Sequence, residues 1–524
     1  MKFLVIFVSV ALGVHVAQAQ APSSTALMSS RAAGRLLDQA TWGPNAGSIA
    51  ELRRTGLTGW LDSQFSVENS DIPDQPVLGA DGKPNRNLVP VYDAFFENAL
   101  TKQDQLRQRV AFALSEIWVV SATAGVPDAY AFPPYWRIFR DNAFANYRDV
   151  IKAVTLNPAM GRYLNMANNN KGNPAKGTSA NENYARELMQ LFTLGLVKLN
   201  PDGSAVLDQN HQPVPTYDQD AVSNMAKALT GWTYPTAPGA TPRSSNPAYY
   251  LGQMFAVESY HDTSAKMIFD NIKLAAGHTA EQDLESVLDA LMQQTTMAPF
   301  VSQQLIQHLV TSNPSPGYIE RVSKVFLDNG RGVRGDMKAV VAAILTDPEA
   351  RAGDDANTPV NANFGHMREP ILFMTNVLRG LDATLTGTTT AAYSDAAFMG
   401  QDLFHSPSVF SYFSPRSRTE KGLFGPEFQI YSTQTAANRA DVVYTALYGT
   451  LDKGTKINLA PFLKDGSNLS ALLDYISYVF LHGAMSNDLR QAAHSAASAA
   501  TTPAKAVQAA LYIVLTSGEY QIIH

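Results

Sequence analysis

Ser179-Ala-Asn-Glu-Asn-Tyr-Ala-Arg-Glu-Leu-Met-Gln-Leu-Phe-Thr-Leu-Gly195 is the stretch of this sequence that best predicts the fold. Its apolar residues recur at helical spacing, which is typical of a helix with one buried face. These residues are Tyr184, Leu188, Leu191, Phe192 and Gly195. Ser179 followed three residues later by Glu182 has the pattern of a capping box, so we expect the helix to begin there.

Charged side chains take two positions relative to the predicted buried face. Glu182 and Arg186 are one turn apart and point away from that face. Glu187 flanks the face, where a carboxylate without a partner would be costly. We therefore expect Glu187 to contact a cation, in the first place Arg109, or a metal ion that it shares with His261.

The overall composition is that of a folded globular protein. Of the 524 residues, 45% are hydrophobic and 16% are charged, and the formal net charge is -6. A mildly acidic chain without long runs of one charge favours neither a nucleic-acid partner nor an anionic membrane surface. The length suffices for two or more ordinary domains or for one large helical domain.

The N-terminus has the pattern of a secretory signal peptide. Lys2 supplies a positive charge, and an apolar stretch follows from Phe3 to Val16. Ala17-Gln18-Ala19 then fits a cleavage site. We expect removal of residues 1–19, disorder in residues 20–30, and a periplasmic or secreted protein. A membrane anchor is the disfavoured alternative because the apolar run is shorter than a bilayer span, and no later segment predicts a span.

The sequence has no cysteine. This excludes disulfides, a thiolate zinc site, a cysteine-ligated iron–sulfur cluster and covalent c-type haem. A divalent metal ion would have to be held by oxygen or imidazole ligands. The sequence does not say whether any cofactor is present.

Helical periodicity dominates the chain after residue 30. We predict a mainly α fold, a large multi-helix domain over residues 31–524, with a division into two lobes near 352–365 as an open alternative. Alternating apolar residues from Val197 to Tyr217, with the turn Pro201-Asp-Gly203, predict a small β-hairpin element.

Several motifs, in order along the chain, resemble the bacterial domain-of-unknown-function family 1800. They are Leu106-Arg-Gln-Arg-Val-Ala-Phe-Ala-Leu-Ser115, Glu182–Gly195, Ala228-Leu-Thr-Gly-Trp232, His261-Asp262 with Lys266, Val333-Arg-Gly-Asp336, Asp347-Pro-Glu-Ala-Arg351, Pro407-Ser-Val-Phe410 and Pro426-Glu-Phe428. The resemblance spans the chain from about Arg31 to the C-terminus. It implies an exported, largely helical protein and gives no catalytic residue. Genes of this family often lie beside those of an exported sulfatase-like family, which implies such a protein as a partner.

The candidate catalytic residues are Glu187, His261 and Asp262. A carboxylate and an imidazole can perform acid–base chemistry or bind a divalent ion. The alternative for His261 and Asp262 is a helix cap, in which Asp262 or Thr263 begins a helix containing Lys266.

Three further charged residues are candidates for binding or for a structural ion pair. They are Arg109, Glu116 and Arg186. For Arg109 and Glu116, which lie two turns apart on one helix, a structural pair is the favoured interpretation.

Two functional hypotheses follow. The first is an enzyme that acts on an extracellular polymer or its fragments through a carboxylate and histidine site. The second is a non-catalytic scaffold or binding partner of an exported sulfatase-like enzyme. Aromatic residues near the C-terminal third could line a carbohydrate-binding surface, although core packing is the favoured interpretation; they are Phe404, Phe410, Tyr412 and Phe413.

Overall fold

The computed structural model describes residues 27–269, 272–358, 361–387 and 390–524. The predicted signal peptide, residues 1–19, lies outside the described residues, and so does most of the segment expected to be disordered. The first helix begins at Ser30, where the Ser29 hydroxyl accepts a hydrogen bond from the Ala32 amide.

Within these ranges the chain forms 21 α-helices. They are α1 (Ser30–Ala40), α2 (Ala46–Ser66), α3 (Val89–Thr101), α4 (Gln105–Ile117), α5 (Phe132–Asn142), α6 (Tyr147–Thr155), α7 (Pro158–Tyr163), α8 (Asn183–Glu187), α9 (Gln219–Ala228), α10 (Ala280–Gln293), α11 (Met297–Leu309), α12 (Pro316–Leu327), α13 (Met337–Thr346), α14 (Pro348–Arg351), α15 (Pro370–Gly380), α16 (Thr390–Phe398), α17 (Thr433–Tyr448), α18 (Ala460–Leu463), α19 (Leu469–Phe480), α20 (Asn487–Ser498) and α21 (Pro503–Leu515). A π-helix, Leu188–Thr193, continues α8. None of the described helices is both long enough and apolar enough to cross a bilayer.

Strands are few and short. They are β1 (Trp232–Thr233), β2 (Phe255–Ala256), β3 (Lys266–Phe269), β4 (Ile272–Leu274), β5 (His366–Met367), β6 (Thr384–Leu385), β7 (Thr455–Lys456) and β8 (Ile522–Ile523). In the described parts of the chain they pair as four antiparallel two-stranded sheets, β1 with β2, β3 with β4, β5 with β8 and β6 with β7. The predicted mainly α fold with a small β element is confirmed.

The predicted hairpin over residues 197–217 forms antiparallel bridges instead of continuous strands. The bridges join Val197 to Pro215, Leu199 to Ala205 and Leu207 to Pro213. Proline has no amide hydrogen to donate, so the ladder is interrupted at two of these positions.

Helix α4 lies at the centre of the apolar core. It packs against α1, α2, α3, α5 and α11. An aromatic cluster surrounds it, with ring centroids 5.1 Å apart for Trp42 and Phe112 and 5.2 Å apart for Phe95 and Trp136. Because neighbours cover α4 on every side, its polar residues are buried along with its apolar ones, including Gln108, Arg109 and Glu116. Buried polar groups of this kind need partners inside the protein.

The segment near 352–365 lies against α1. Arg31 donates to the carbonyl of Gly353 at 2.7 Å, and Arg35 donates to that of Ala350 at 3.2 Å. Buried apolar side chains from before and after this segment belong to one contiguous cluster. The division into two lobes stays a prediction.

The helix predicted from Ser179 begins later, and the capping-box prediction is wrong. Helix α8 begins at Asn183, and Glu182 at its N-cap position makes no side-chain capping bond. The Asn181 side chain accepts from the Asn183 amide at 2.9 Å instead. The predicted buried face is nevertheless correct, since Tyr184, Leu188 and Phe192 are buried.

Candidate functional site

Two glutamates from distant parts of the chain meet inside the core. Glu116 and Glu369 are both buried, and their carboxyl groups are within hydrogen-bonding reach of each other. The Gln401 side-chain amide donates to Glu116 Oε1 at 3.0 Å and to Glu369 Oε2 at 2.6 Å. Its own oxygen accepts from the Ile371 amide at 2.9 Å. Gln401 therefore holds both carboxyl groups in fixed positions.

Local structure sets the position of each member of this pair. Glu116 lies in the last turn of α4. Glu369 occupies the N-cap position of α15, with Pro370 at the first helical position, where proline is favoured. Gln401 follows Gly400, whose φ of 104° allows the chain to leave the region of α16 sharply.

The electrostatics of the pair are unusual for glutamate. Burial raises the pKa of Glu116 to about 7. Hydrogen bonds with Glu369 and Gln401 and the charge of Arg109 act in the opposite direction and lower it. Burial, and then the charge of Glu116, raise the pKa of Glu369 to about 8. Two adjacent carboxyl groups in a site of low polarity cannot both ionise easily, so at neutral pH the pair shares a proton.

Arg109 and His308 lie beside the pair. Arg109 is fully buried and donates from Nη2 to the His308 carbonyl at 2.6 Å. Its charge acts on Glu369 and Glu116, while burial lowers its own pKa. The His308 ring Nδ1 lies 3.4 Å from Glu116 Oε2, and burial lowers the pKa of this histidine. His308 is therefore predominantly neutral near pH 7.

A second carboxylate–histidine pair lies close to this group. His366 Nδ1 is 3.2 Å from Glu427 Oε1, and both residues are buried. The charge of Glu427 acts on both Glu116 and His308. Among the described residues, no group of three or more histidine, aspartate or glutamate side chains has an arrangement that could hold a metal ion.

Many polar atoms of this region are buried without a hydrogen-bond partner in the described part of the protein. They are Arg109 Nε and Nη1, Glu116 Oε2, Gln304 Nε2, His366 Nε2, Ser411 Oγ and Glu427 Oε2. Buried polar atoms almost always have a partner, so we interpret these atoms as positions that water or the polar group of a ligand would satisfy.

Two small cavities reach Glu116. One, of about 20 Å³, is lined by Glu116, Phe404 and Tyr412 among others, and the other, of about 30 Å³, by Glu116, His308 and Phe410 among others. Each is large enough for a water molecule. Phe410 is 41% exposed, so the second cavity lies close to the surface.

The chain that covers both cavities is locally strained. Phe404 and Ser411 have φ angles of 63° and 65°, in the left-handed region that residues with side chains rarely adopt. Backbone strain of this kind persists where the surroundings impose it, and it is concentrated at functional sites. The four aromatic residues proposed for a carbohydrate surface lie in the walls of these two cavities.

The family model described as "Protein of unknown function (DUF1800)" matches residues 35–522. The chain belongs to this family. No curated protein and no solved structure matches the chain. Membership confirms the resemblance carried by the sequence motifs, and it assigns no activity.

Of the residues singled out from this DUF1800 sequence, Arg109 and Glu116 do lie together, but Glu187 is elsewhere. Among the described residues Glu187 makes no ion pair with Arg109, and its Oε2 is buried without a hydrogen-bond partner. Burial raises the pKa of Glu187, with Arg186 acting in the opposite direction. The expected contact of Glu187 with Arg109 is therefore wrong, and the alternative of a metal ion shared with His261 stays a prediction. Arg186 itself pairs with Glu182 at 2.9 Å.

His261 belongs to a different buried cluster. Its Nε2 lies 3.1 Å from Asp283 Oδ2 and its Nδ1 lies 3.0 Å from the carbonyl of Thr230. Both ring nitrogens thus lie within hydrogen-bonding distance of groups inside the protein. Lys266 also contacts Asp283, at 2.7 Å. This geometry favours a structural role for His261.

Asp262 forms a turn, and the helix expected after it is absent. Asp262 Oδ1 accepts from the amide and the hydroxyl of Ser264 at 2.9 and 2.5 Å. Burial would raise the pKa of Asp262, but these hydrogen bonds outweigh it and the pKa is lowered. Lys266 then begins strand β3. Asp262 therefore stabilises the approach to a strand and does not cap a helix.

Sequence reasoning missed Glu369, Gln401 and Glu427. Glu369 next to Pro370 has the pattern of a helix start, and Glu427 lies in one of the motifs shared with the family. Neither pattern indicates which helix end faces Glu116, because that depends on long-range packing.

Proposed function

We propose that the protein is an exported hydrolase in which Glu116 and Glu369 activate water for attack on an extracellular polymer or its fragments. The observation that carries this proposal is the buried carboxyl pair, with pKa values of about 7 and 8, beside cavities that admit water. Acid–base catalysts work best when their pKa lies near the working pH.

The shared proton gives the two carboxyl groups complementary roles. The ionised carboxylate takes a proton from water as the water oxygen attacks an electrophilic carbon. The protonated carboxyl group donates its proton to the oxygen that becomes negatively charged. Aspartic proteases use two carboxyl groups with one proton in the same way.

The spacing of the pair favours an acyl bond as the target. Carboxyl groups of glycoside hydrolases stand about 5–5.5 Å or about 6.5–9.5 Å apart, which leaves room for the sugar or for water between them. Glu116 and Glu369 are within hydrogen-bonding reach. Ester or amide bonds therefore fit this pair better than glycosidic bonds.

Access to the pair runs from the cavity that Phe410 and Phe413 line. This cavity, of about 30 Å³, admits water and no polymer segment, so binding of a substrate requires movement of the strained chain around Ser411. Aromatic side chains in the wall would stack on the rings or chains of a bound fragment.

The test is hydrolysis by the purified protein of a panel of fluorogenic peptides, acyl esters and glycosides. We expect turnover of an ester or amide, with a fall in kcat of about 10²-fold or more in Glu116→Gln and in Glu369→Gln. Glu187→Gln is the control, because it removes a half-buried carboxylate that lies outside the pair and should leave kcat unchanged.

The pH dependence of the hydrolytic activity is a further test of the pair. Activity should be bell-shaped, with its limbs set by the two apparent pKa values of the pair. An equal loss of activity in Glu187→Gln, or turnover by the parent that survives Glu116→Gln, would contradict the assignment. Absence of any turnover would overturn the hydrolase proposal in favour of a binding partner for an exported sulfatase-like protein.

Export is part of the proposal and rests on Lys2, the apolar stretch and Ala17-Gln18-Ala19. Mass spectrometry of protein recovered from outside the cytoplasm should show that about twenty residues have been removed. A mature protein that retains Met1 would contradict export by this signal.

A further inference from the structure

A third, larger cavity has a lining that does not include Glu116. It has a volume of about 320 Å³ and lies between the start of α1, the turn after α19 and strand β8. This volume is within the range of sites for small organic ligands. One wall is apolar and consists of Phe480, Leu481, Ala484 and Ile522.

Three arginines also line the cavity, and two of them are paired with carboxylates. Arg368 donates to both oxygens of Asp38, at 2.5 and 3.0 Å. Arg35 pairs with Asp354. Arg31 differs, since its Nε donates to the backbone carbonyl of Gly353 at 2.7 Å and it has no ion pair among the described residues.

The charged groups beside the cavity are not paired one to one. Asp354 is influenced by the charges of Arg351, Arg35 and Arg31, and Arg31 also acts on Asp355. Arg351 Nη1 lies 3.5 Å from Asp354 Oδ2, and both Nε and Nη1 of Arg351 are buried without a hydrogen-bond partner. Burial lowers the pKa of Arg35 to about 10, although Asp354 acts in the opposite direction.

The lining also contains the carboxylate of Glu519. Glu519 is held by Ser486, whose amide donates to Glu519 Oε2 at 3.1 Å and whose hydroxyl donates to Oε1. Glu519 is therefore engaged at the start of α20, and among the described residues it makes no ion pair with Arg31.

His482 adds a rigid polar group to the lining. Its Nε2 lies 3.1 Å from Asp38 Oδ2, and its Nδ1 is buried without a hydrogen-bond partner in the described part of the protein. The side chain packs on Gly34, where an added Cβ would lie 2.6 Å from Nδ1. The backbone φ of His482 is 55°, in the left-handed region, and the surrounding structure must impose this conformation. Such a fixed side chain is typical of a preorganised binding site.

We propose that this cavity binds a small organic acid. Its carboxylate pairs with Arg31, and its apolar body lies against Phe480 and Leu481. Arginine suits this role because its planar group forms paired hydrogen bonds with a carboxylate. The proposal is independent of the hydrolase proposal, because it uses none of the groups around Glu116.

Isothermal titration with benzoate tests the site, with benzyl alcohol as a neutral analogue of the same shape and inorganic sulfate as an anion without an apolar body. We expect benzoate to bind with one-to-one stoichiometry, and the other two compounds to bind at least about tenfold more weakly.

Variants of the protein test separately how the charge and the shape of the cavity contribute to benzoate binding. Arg31→Gln should weaken benzoate binding by about tenfold or more, while Arg53→Gln should change it by less than about twofold. Arg53 is the matched control, since it too donates from Nε to a backbone carbonyl, that of Met28 at 3.1 Å, and lies outside the cavity lining. Ala484→Trp fills the cavity without changing its charge and should abolish binding.

Specific outcomes would overturn the proposal. They are absence of benzoate binding, equal affinity for benzyl alcohol or sulfate, and equal weakening by Arg31→Gln and Arg53→Gln. Thermal melting of each variant shows whether it is folded, and binding that survives in a folded Ala484→Trp would place the benzoate elsewhere.

Discussion

At the scale of single residues, the surroundings of a carboxylate decide what it does. Glu116 and Glu187 are both removed from bulk water and both have a raised pKa. Glu116 faces a second carboxyl group and a buried arginine, whereas Glu187 faces tyrosines, including Tyr163, whose pKa is raised to about 12 by burial and by Glu187. Only Glu116 is placed to share a proton.

The first prediction concerns stability and pH. The folded pKa values of Glu116 and Glu369, about 7 and 8, exceed that of an unfolded glutamate, so the folded protein holds more protons between about pH 4.5 and 8. The contribution of this pair to the free energy of unfolding is fully present below about pH 4.5. It is lost as the pH rises through the folded pKa values of about 7 and 8, by up to roughly 1.4 kcal/mol per pH unit for each proton. Urea unfolding of the parent should show this fall, and Glu116→Gln should reduce its slope. An unchanged slope would contradict the raised pKa values.

The second prediction concerns Glu187. Its Oε2 is buried without a partner, so Glu187→Gln removes a charge that burial disfavours. The free energy of unfolding should change by less than about 0.5 kcal/mol or increase slightly, in contrast to the loss expected of a paired carboxylate. A loss of several kcal/mol in urea unfolding would indicate a cation that contacts Glu187.

At the scale of elements, side chains at helix ends and between elements set where each element lies. Asp283 of α10 is fully buried and accepts from His261, from Lys266 of β3 and from His278. Burial would raise the pKa of Asp283, but the hydrogen bonds from His261 and Lys266 outweigh it and lower the pKa. One carboxylate thus fixes a helix, a strand and a loop relative to each other.

The third prediction tests this connection. Asp283→Asn leaves Lys266 buried without a counter-charge, which should cost about 3–5 kcal/mol. Differential scanning calorimetry should show a large fall in Tm. Asp289→Asn, on an exposed part of the same helix, is the control and should cost less than about 1 kcal/mol.

The fourth prediction concerns the start of α8. Asn181→Ala removes the acceptor for the Asn183 amide and should cost about 1 kcal/mol, whereas Ser179→Ala should have almost no effect. Chemical unfolding of both variants measures which side chain caps the helix. A larger loss of unfolding free energy in Ser179→Ala than in Asn181→Ala would show that the capping box forms after all.

At the scale of the whole molecule, one buried network joins early and late parts of the chain. Asp38 of α1 accepts from Arg368, from Asn376 of α15 and from His482. Burial would raise the pKa of Asp38, but Arg368 outweighs it and holds the pKa well below its usual range. The charges of Asp38 and Arg368 also act on Arg109, so the network continues to the carboxyl pair.

The fifth prediction follows from this network. Asp38→Asn should cost about 3–5 kcal/mol, because Arg368 would stay buried without its partner. If the molecule unfolds as one unit, calorimetry of parent and variant shows one transition, which moves to lower temperature. Two separate transitions in the parent would support two lobes divided near 352–365.

Local sequence determined the mainly α fold and the buried face of Tyr184, Leu188 and Phe192, because helical periodicity is a property of neighbouring residues. The family, too, could be recognised from local motifs. Tertiary structure alone decided which carboxylates meet. Glu369 and Glu116 lie on elements far apart in the chain, and their contact depends on how α4 and α15 pack together.

The same distinction explains the errors. A Ser-x-x-Glu pattern can cap a helix, but here the Asn181 side chain accepts from the Asn183 amide at the start of α8. The chain before the helix is held by Asn169, whose side chain accepts from the Asn181 amide at 2.8 Å. The sequence showed that Glu187, His261 and Arg109 are ionisable residues, but it did not show that they lie in three separate parts of the structure. Charge and periodicity are properties of single residues and their neighbours in sequence, whereas burial and pairing arise only when distant elements pack.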